Sequence, residues 1–293
     1  MAEINLSPPS VDFWEVYIKL SHSYFDKVEK MIATRLPHTI LVKRENFEGA
    51  EEVINRILID RVKELKDIIP GAGIFLDDRL NITPTYREYP IVVVDVVDGS
   101  AELKGGGTEV ASTLAIVMND GTIPLSVISY PFGRERIVDV NKNVYRIPND
   151  VLDEIDTNRN LIEKYKLSPK KSRSSFKELR ISERYEFFDD NIRTRLDEMR
   201  TFLDVSIKRP LGSLSKNLMS IVTGSCDIYM VKGKDKHHFY DTVAAGKIIT
   251  DLEGIFRDLN GNERTGFESM NGIIAASTSE NYSMFCDFLM SKK

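Results

Sequence analysis

Residues Ile91-Val92-Val93-Val94-Asp95-Val96-Val97-Asp98-Gly99-Ser100 decide how this chain is read. Consecutive β-branched apolar residues predict a buried strand, because a strand covered on both faces has no need to alternate. The same run then sets two carboxylates three residues apart. A buried carboxylate is costly unless it is paired or bound to a metal, so the pair calls for a cation. The spacing predicts that the strand ends at Asp95, that the chain turns through Val96-Val97, and that Asp98 comes round to the same point. Gly99 permits close backbone approach. Ser100 is placed at or near a helix N-terminus, where free N–H groups and the dipole favour an anion. Read alone, Asp95 and Asp98 could equally cap a helix or meet arginines.

The rest of the chain narrows the class. Its 293 residues can bury a full core, as one large domain or two moderate ones. Forty basic against forty-five acidic residues leave a net charge of −5, a poor footprint for a nucleic-acid binder. The two cysteines, Cys226 and Cys286, are far apart and fit neither a disulfide framework nor a metal-binding spacing. With four histidines as well, any catalytic metal is expected on oxygen ligands. No apolar run approaches a membrane span, and MAEINLSPPSVDFWEV lacks the basic-then-apolar pattern of a signal peptide. These features predict a soluble cytoplasmic protein with no membrane and no nucleic-acid partner.

Outward from the opening strand, apolar positions at helical spacing predict a helix over residues 11–34, with Trp14 in its core-facing set, and another over 49–66. Residues 73–76 read as a short buried strand ending at Asp77-Asp78. Two more strands, 111–118 and 123–130, are joined by Asn119-Asp120-Gly121-Thr122, a hairpin signal. Residues 146–200 are highly charged and read as exposed helices with a basic loop at Pro169 to Ser175, near the junction of an N-terminal half (1–145) and a C-terminal half (146–293). Beyond it, helices are expected at 211–222, 239–252 and 280–290, and strands at 226–230 and 272–276. This alternation predicts a layered α/β (α+β) architecture.

Carboxylates recur where elements begin and end. Asp77-Asp78 closes the strand before Ile91, and Tyr240-Asp241-Thr242-Val243-Ala244-Ala245-Gly246 sets an Asp at the start of a small-residue helix. There Asp241 caps the helix or adds a ligand to the same cation. Acids entering from three separate segments fit a multi-metal site for Mg²⁺ carrying a phosphate oxygen.

At this point a family resemblance emerges. DVVDGS resembles the Asp-Pro-Ile-Asp-Gly-Thr motif of inositol monophosphatase and its relatives. HHFYDTVAAGKIITDLEGIFRDLNG resembles that family's Trp-Asp-x-Ala-Ala-Gly helix with the turn and strand after it. Arg209-Pro210-Leu211-Gly212-Ser213 with GSCDIY, and GIIAAS near the end, resemble the family's Gly-Ser helix and its last strands. The superfamily includes fructose-1,6-bisphosphatases and 3′-phosphonucleotide phosphatases.

The resemblance implies an alternating αβαβα sandwich and a Mg²⁺-dependent, lithium-sensitive phosphatase holding two or three ions, with Mn²⁺ as a substitute. It implies that Asp95 bridges two metals, that Asp77 and the Val97 carbonyl complete one site, and that Asp98 and Asp241 complete the other. Gly99 and Ser100 amides would hold phosphate, with Gly212 and Ser213 beside them. The Ser100 hydroxyl would orient the attacking water through an upstream acid, assigned to Glu45 with Glu48 and Glu51 as alternatives.

Differences from the family pattern are Val96 for Pro, Asp77-Asp78 for Glu-Glu (leaving Asp78 as an alternative ligand), Ser100 for Thr and Tyr240 for Trp. Where inositol monophosphatases place a sugar-contacting Glu, this chain has VKGKDKHHFY. Its Lys232, Lys234, Lys236, His237 and His238 form either a cationic rim suited to a second phosphate or an exposed basic loop. The expected substrate is a small phosphorylated metabolite, and a homodimer is common in the family. The competing class is a member that keeps the fold as a metal- or phosphate-binding module without catalysis.

Overall fold

A computed structural model describes residues 11–33, 64–76, 89–99, 102, 107–184, 188, 190–202, 206–208, 212–232, 237–264 and 268–290. The first helix, α1, starts at Phe13–Leu20, passes through a π-helical turn at Ser21–Phe25 and continues to residue 33. Asp12 starts it by accepting the N–H groups of Trp14 (3.0 Å) and Glu15 (3.4 Å). Trp14 packs edge-on against Tyr17 and Tyr145, the core-facing position expected of it. The helix expected over 49–66 lies outside the described residues except for its end at 64–68.

Six strands form the first sheet in chain order: β1 (Gly73–Phe75), β2 (Ile91–Asp98), β3 (Ala111–Val117), β4 (Leu125–Tyr130), β5 (Glu135–Val140) and β6 (Asn143–Pro148). β1 and β2 are parallel, and the others form an antiparallel meander. The β3–β4 hairpin is the one its turn residues predict, with Asp120 Oδ1 accepting the Thr122 N–H at 2.9 Å. The β5–β6 hairpin was not foreseen. Its two-residue turn, Asn141-Lys142, has positive φ at both positions without a glycine, so the usual signal is missing.

After helix α2 (Leu152–Thr157) the chain enters a second sheet with β7 (Arg180–Arg184), then α3 (Asp190–Phe202), β8 (Ser206–Lys208), α4 (Leu214–Thr223), β9 (Ile228–Val231), α5 (Phe239–Asp251), β10 (Ile255–Arg257), β11 (Ile273–Ala276) and α6 (Ser279–Met290). The strand order is β10-β11-β9-β7-β8. The expectation of only helices and loop in 146–200 is therefore corrected, since β7 lies between β8 and β9, parallel to both. Its charges hid it. Arg180 pairs with buried Asp227 and Glu183 with Arg200, so the strand keeps charged residues in a covered position. The basic loop is likewise pinned: Arg173 Nε reaches Asp227 at 3.0 Å and Ser172 reaches Glu280 at 2.8 Å.

Three cores separate five layers. α1 and α2 cover one face of the first sheet, where Tyr17, Leu20 and Tyr24 meet Val92, Val94 and Leu114. α4 and α5 fill the space between the sheets, packing Leu218 and Ala245 against Val93, Ala115, Tyr229 and Ile273. α3 and α6 cover the outer face of the second sheet through Leu196, Met199 and Phe285. Each such side chain contributes roughly 1.5–3 kcal/mol on burial. The result is the αβαβα sandwich. Among the described residues no helix is long and apolar enough to cross a membrane.

Candidate metal and phosphate site

A strand alternates its side chains between faces, so residues three apart should point to opposite sides. Asp95 and Asp98 avoid this through a β-bulge. Asp95 pairs with Thr113 and Asp98 with Ala111, which leaves Val96 and Val97 opposite Ser112 alone. Both valines pack toward the α1 side, whereas Ile91 and Val93 face the layer between the sheets. The extra residue restores Asp98 to the face of Asp95. The strand thus runs on to Asp98 and does not end at Asp95, a correction to the expected turn. Convergence comes from the bulge.

Two helices begin beside that strand end. Asp98 is buried and accepts the Ser213 hydroxyl at 2.6 Å, the Leu214 N–H at 3.1 Å and the Ser215 N–H at 2.6 Å, all at the start of α4. Burial pushes its carboxyl above the ordinary value, against the pull of those hydrogen bonds. The Ser215 hydroxyl donates to the Asp241 carbonyl at 3.0 Å, and the Thr113 hydroxyl donates to the Tyr240 carbonyl at 3.4 Å. Thr113, the strand partner of Asp95, therefore touches the first turn of α5 directly, and Asp98 reaches it through Ser215. In that turn Asp241 Oδ2 accepts the His238 N–H at 3.2 Å, the capping role foreseen as one of its two readings.

The glycines make the approach feasible. Gly99 has φ +94°, and a Cβ there would lie 3.0 Å from the Ser213 nitrogen. Gly212 has φ +82°, and a Cβ there would fall 2.2 Å from the Glu109 carbonyl oxygen. That carbonyl accepts the Ser213 N–H at 2.7 Å. Gly99, Gly212 and Ser213 are thus brought together with Asp98.

The remaining assignments fall outside the described residues: Asp77, Asp78, Ser100, Glu45, Glu48, Glu51, Lys234 and Lys236. Among the described residues no group of three or more His, Cys, Asp or Glu is gathered closely enough to hold an ion. Asp95, Asp98 and Asp241 are among those residues, so what suits a cation here is the donor chemistry alone, carboxylates and a carbonyl of the hard kind that Mg²⁺ takes. Among the described residues Asp98 Oδ2 accepts two hydrogen bonds and Oδ1 one. His237 exchanges backbone hydrogen bonds with Met270 at 2.8 Å, and the His238 ring stacks on Tyr240.

Sequence reasoning missed Ser215, Thr113 and Arg264. Ser215 carried a faint signal as the second serine of Gly-Ser-Leu-Ser, but Thr113 sits inside an apolar strand and shows none. Arg264 stands over the Phe239 ring at 5.1 Å, in the turn of α5 that carries Asp241. Burial pulls it down to about 10, against Asp241 and Glu268, so it is a cation at neutral pH.

Five alternating layers define a class of α/β sandwich that known structures share. An inositol monophosphatase from Zymomonas mobilis is 19% identical, over 95% of this chain and 99% of that one, with a TM-score of 0.65. Inositol monophosphatase II from Staphylococcus aureus MSSA476 is 15% identical over 95% and 94%, with a TM-score of 0.67. A Pyrococcus horikoshii protein with similarities to inositol-1 monophosphatase is 17% identical over 96% of each chain, at 0.63. Such identities carry the fold alone. A comparison with curated protein sequences finds no significant match. The inositol monophosphatase family model matches residues 24–290, and the chain belongs to that family of metal-dependent phosphatases.

Proposed function

We propose that this chain hydrolyses a small phosphate monoester with the help of Mg²⁺, for which Mn²⁺ can substitute. One observation carries the reading: the bulge at Val96-Val97 turns Asp95 and Asp98 to one face, which Ser215 and Thr113 link to the helix turn that bears Asp241. Asp77, Asp95, the Val97 carbonyl, Asp98 and Asp241 are the residues that would hold the ions, and all are hard oxygen donors of the kind Mg²⁺ prefers. Divalent ions there would supply positive charge toward the phosphoryl oxygens and lower the pKa of a water.

The chain's own groups do the rest. Gly99 and Ser100 amides hold phosphate oxygens in place, and the start of α4 adds a positive dipole end. The Ser100 hydroxyl orients the attacking water while Glu45 accepts its hydrogen bond. Donors fixed before reaction need no reorganisation as charge develops. Staphylococcal inositol monophosphatase II has been crystallised with inositol monophosphate and with 2′-AMP, which supports a small phosphorylated metabolite as ligand.

The test is phosphate release from inositol-1-phosphate, fructose-1,6-bisphosphate and 3′-phosphoadenosine-5′-phosphate in millimolar Mg²⁺. Turnover is expected on at least one of them. Asp95→Asn should lower it by about 1000-fold, several kcal/mol of transition-state stabilisation, with the circular dichroism unchanged. Unchanged turnover in that variant would refute the assignment. A second reading, a binding module without catalysis, is favoured by the three neutral donors that already satisfy Asp98 as a helix cap. Binding without release across the panel would establish it.

A further inference from the structure

The buried Arg136 guanidinium meets carboxylates, Glu29 at 2.7 Å and Asp26 at 2.6 Å. Arg264 does not. Its Nε, Nη1 and Nη2 are all buried, and none has a hydrogen-bond partner among the described residues. Asp241 and Glu268 act on it only through their charge. A buried cation without hydrogen-bonded counter-charge is costly, so something absent from the folded chain by itself should complete it.

Arg264 lines two cavities, one of about 720 Å³ walled by Tyr89, Ile123 and Phe256, the other of about 810 Å³ lined by Asn262 and Ser269. Both are of ligand size. Arg264 is also one ring away from the proposed reaction site. The Phe239 ring beneath it precedes Asp241 by two residues and touches Phe75, the last residue of β1. A guanidinium fork matches the paired oxygens of a phosphoryl group.

We propose that Arg264 is a specificity residue that receives a second phosphoryl group of the substrate, the one not hydrolysed, so that the chain prefers bisphosphorylated esters. This rests on the phosphatase reading for what happens at the first phosphate, and its test does not depend on turnover.

Calorimetric titration without divalent metal should compare two matched pairs: 3′-phosphoadenosine-5′-phosphate with adenosine 3′-monophosphate, and fructose-1,6-bisphosphate with fructose-1-phosphate. In at least one pair the bisphosphate should bind about 10–100-fold more tightly, the range of a charge-assisted hydrogen bond. In Arg264→Gln that ratio should collapse toward one, and in Arg264→Lys part of it should return. Unliganded Arg264→Gln should melt at or above the wild-type temperature, because an uncompensated charge has gone. A lower melting temperature would mark Arg264 as structural and overturn the proposal. So would equal binding within both pairs, a ratio that survives in Arg264→Gln, or no binding at all. An Arg264-dependent preference in a protein that never releases phosphate would overturn the phosphatase reading and leave this one standing. Release without a preference would do the reverse.

Discussion

Two sets of buried acids in this molecule are solved in opposite ways. Behind the first sheet, Glu29 takes the Arg136 Nε at 2.7 Å and the Asn149 side chain at 2.6 Å, and in the second sheet Asp227 takes Arg173 at 3.0 Å and Arg180 at 3.1 Å. Arginine holds Asp227 below its ordinary carboxylate range despite burial. At the end of β2, Asp98 is as deeply placed but among the described residues it receives a hydroxyl and two amides and no arginine, and burial leaves its carboxyl raised. Acids matched by arginine are finished as structure. An acid matched only by neutral donors can still take a cation.

Breaking a finished pair should cost most stability. Arg136→Leu leaves the Glu29 carboxylate buried with hydroxyl and amide donors alone, and chemical denaturation should report a loss of about 3–5 kcal/mol. A smaller cost or a gain would mean that Glu29 takes up a proton and the pair matters less than its geometry suggests.

Asp139 is a further acid without arginine, facing Lys247 at 3.8 Å, and sharpens the contrast through pH. It is fully buried on β5, neither oxygen has a hydrogen-bond partner among the described residues, and burial with the neighbouring Asp251 pushes it up to about 8. The folded chain then holds a proton that the unfolded chain releases near pH 4. This group's contribution is complete at low pH and is lost as pH rises through about 8. Asp139→Asn cannot ionise, so its stability advantage over wild type should widen between pH 5 and pH 8, by at most about 1.4 kcal/mol per pH unit. Parallel stability curves for the two proteins would contradict it.

The smallest effect on stability is expected at Asp98 itself. Asp98→Asn keeps an acceptor for the first turn of α4, so the loss should stay within about 1 kcal/mol by denaturation. A loss as large as that of Arg136→Leu would place Asp98 among the finished structural acids.

How much of this was legible follows from the same physics. The apolar run of β2, the Asp-Gly turn after β3 and the small-residue helix α5 announce themselves because each has a local cause. β7 does not, because Arg180 and Glu183 are made acceptable only by Asp227 and Arg200, distant in sequence. The bulge was written in the sequence as two adjacent valines between the aspartates, but a turn explains that pattern equally well. Asp98, Gly99, Gly212 and Ser213 were foreseen as neighbours and are neighbours. Arg264 was invisible, since isolation of a charge is a tertiary property. The roles given to Asp77, Ser100, Glu45 and Lys234 concern residues outside those described.

The central claim is that Asp95, Asp98 and Asp241 share divalent ions, and Mn²⁺ binding followed by electron paramagnetic resonance tests it without requiring turnover. The wild-type chain should bind Mn²⁺ and release it to competing Mg²⁺, while Asp98→Asn and Asp241→Asn should each weaken binding by at least about 10-fold. Equal Mn²⁺ affinity in all three proteins, or no binding by the wild type, would contradict the account.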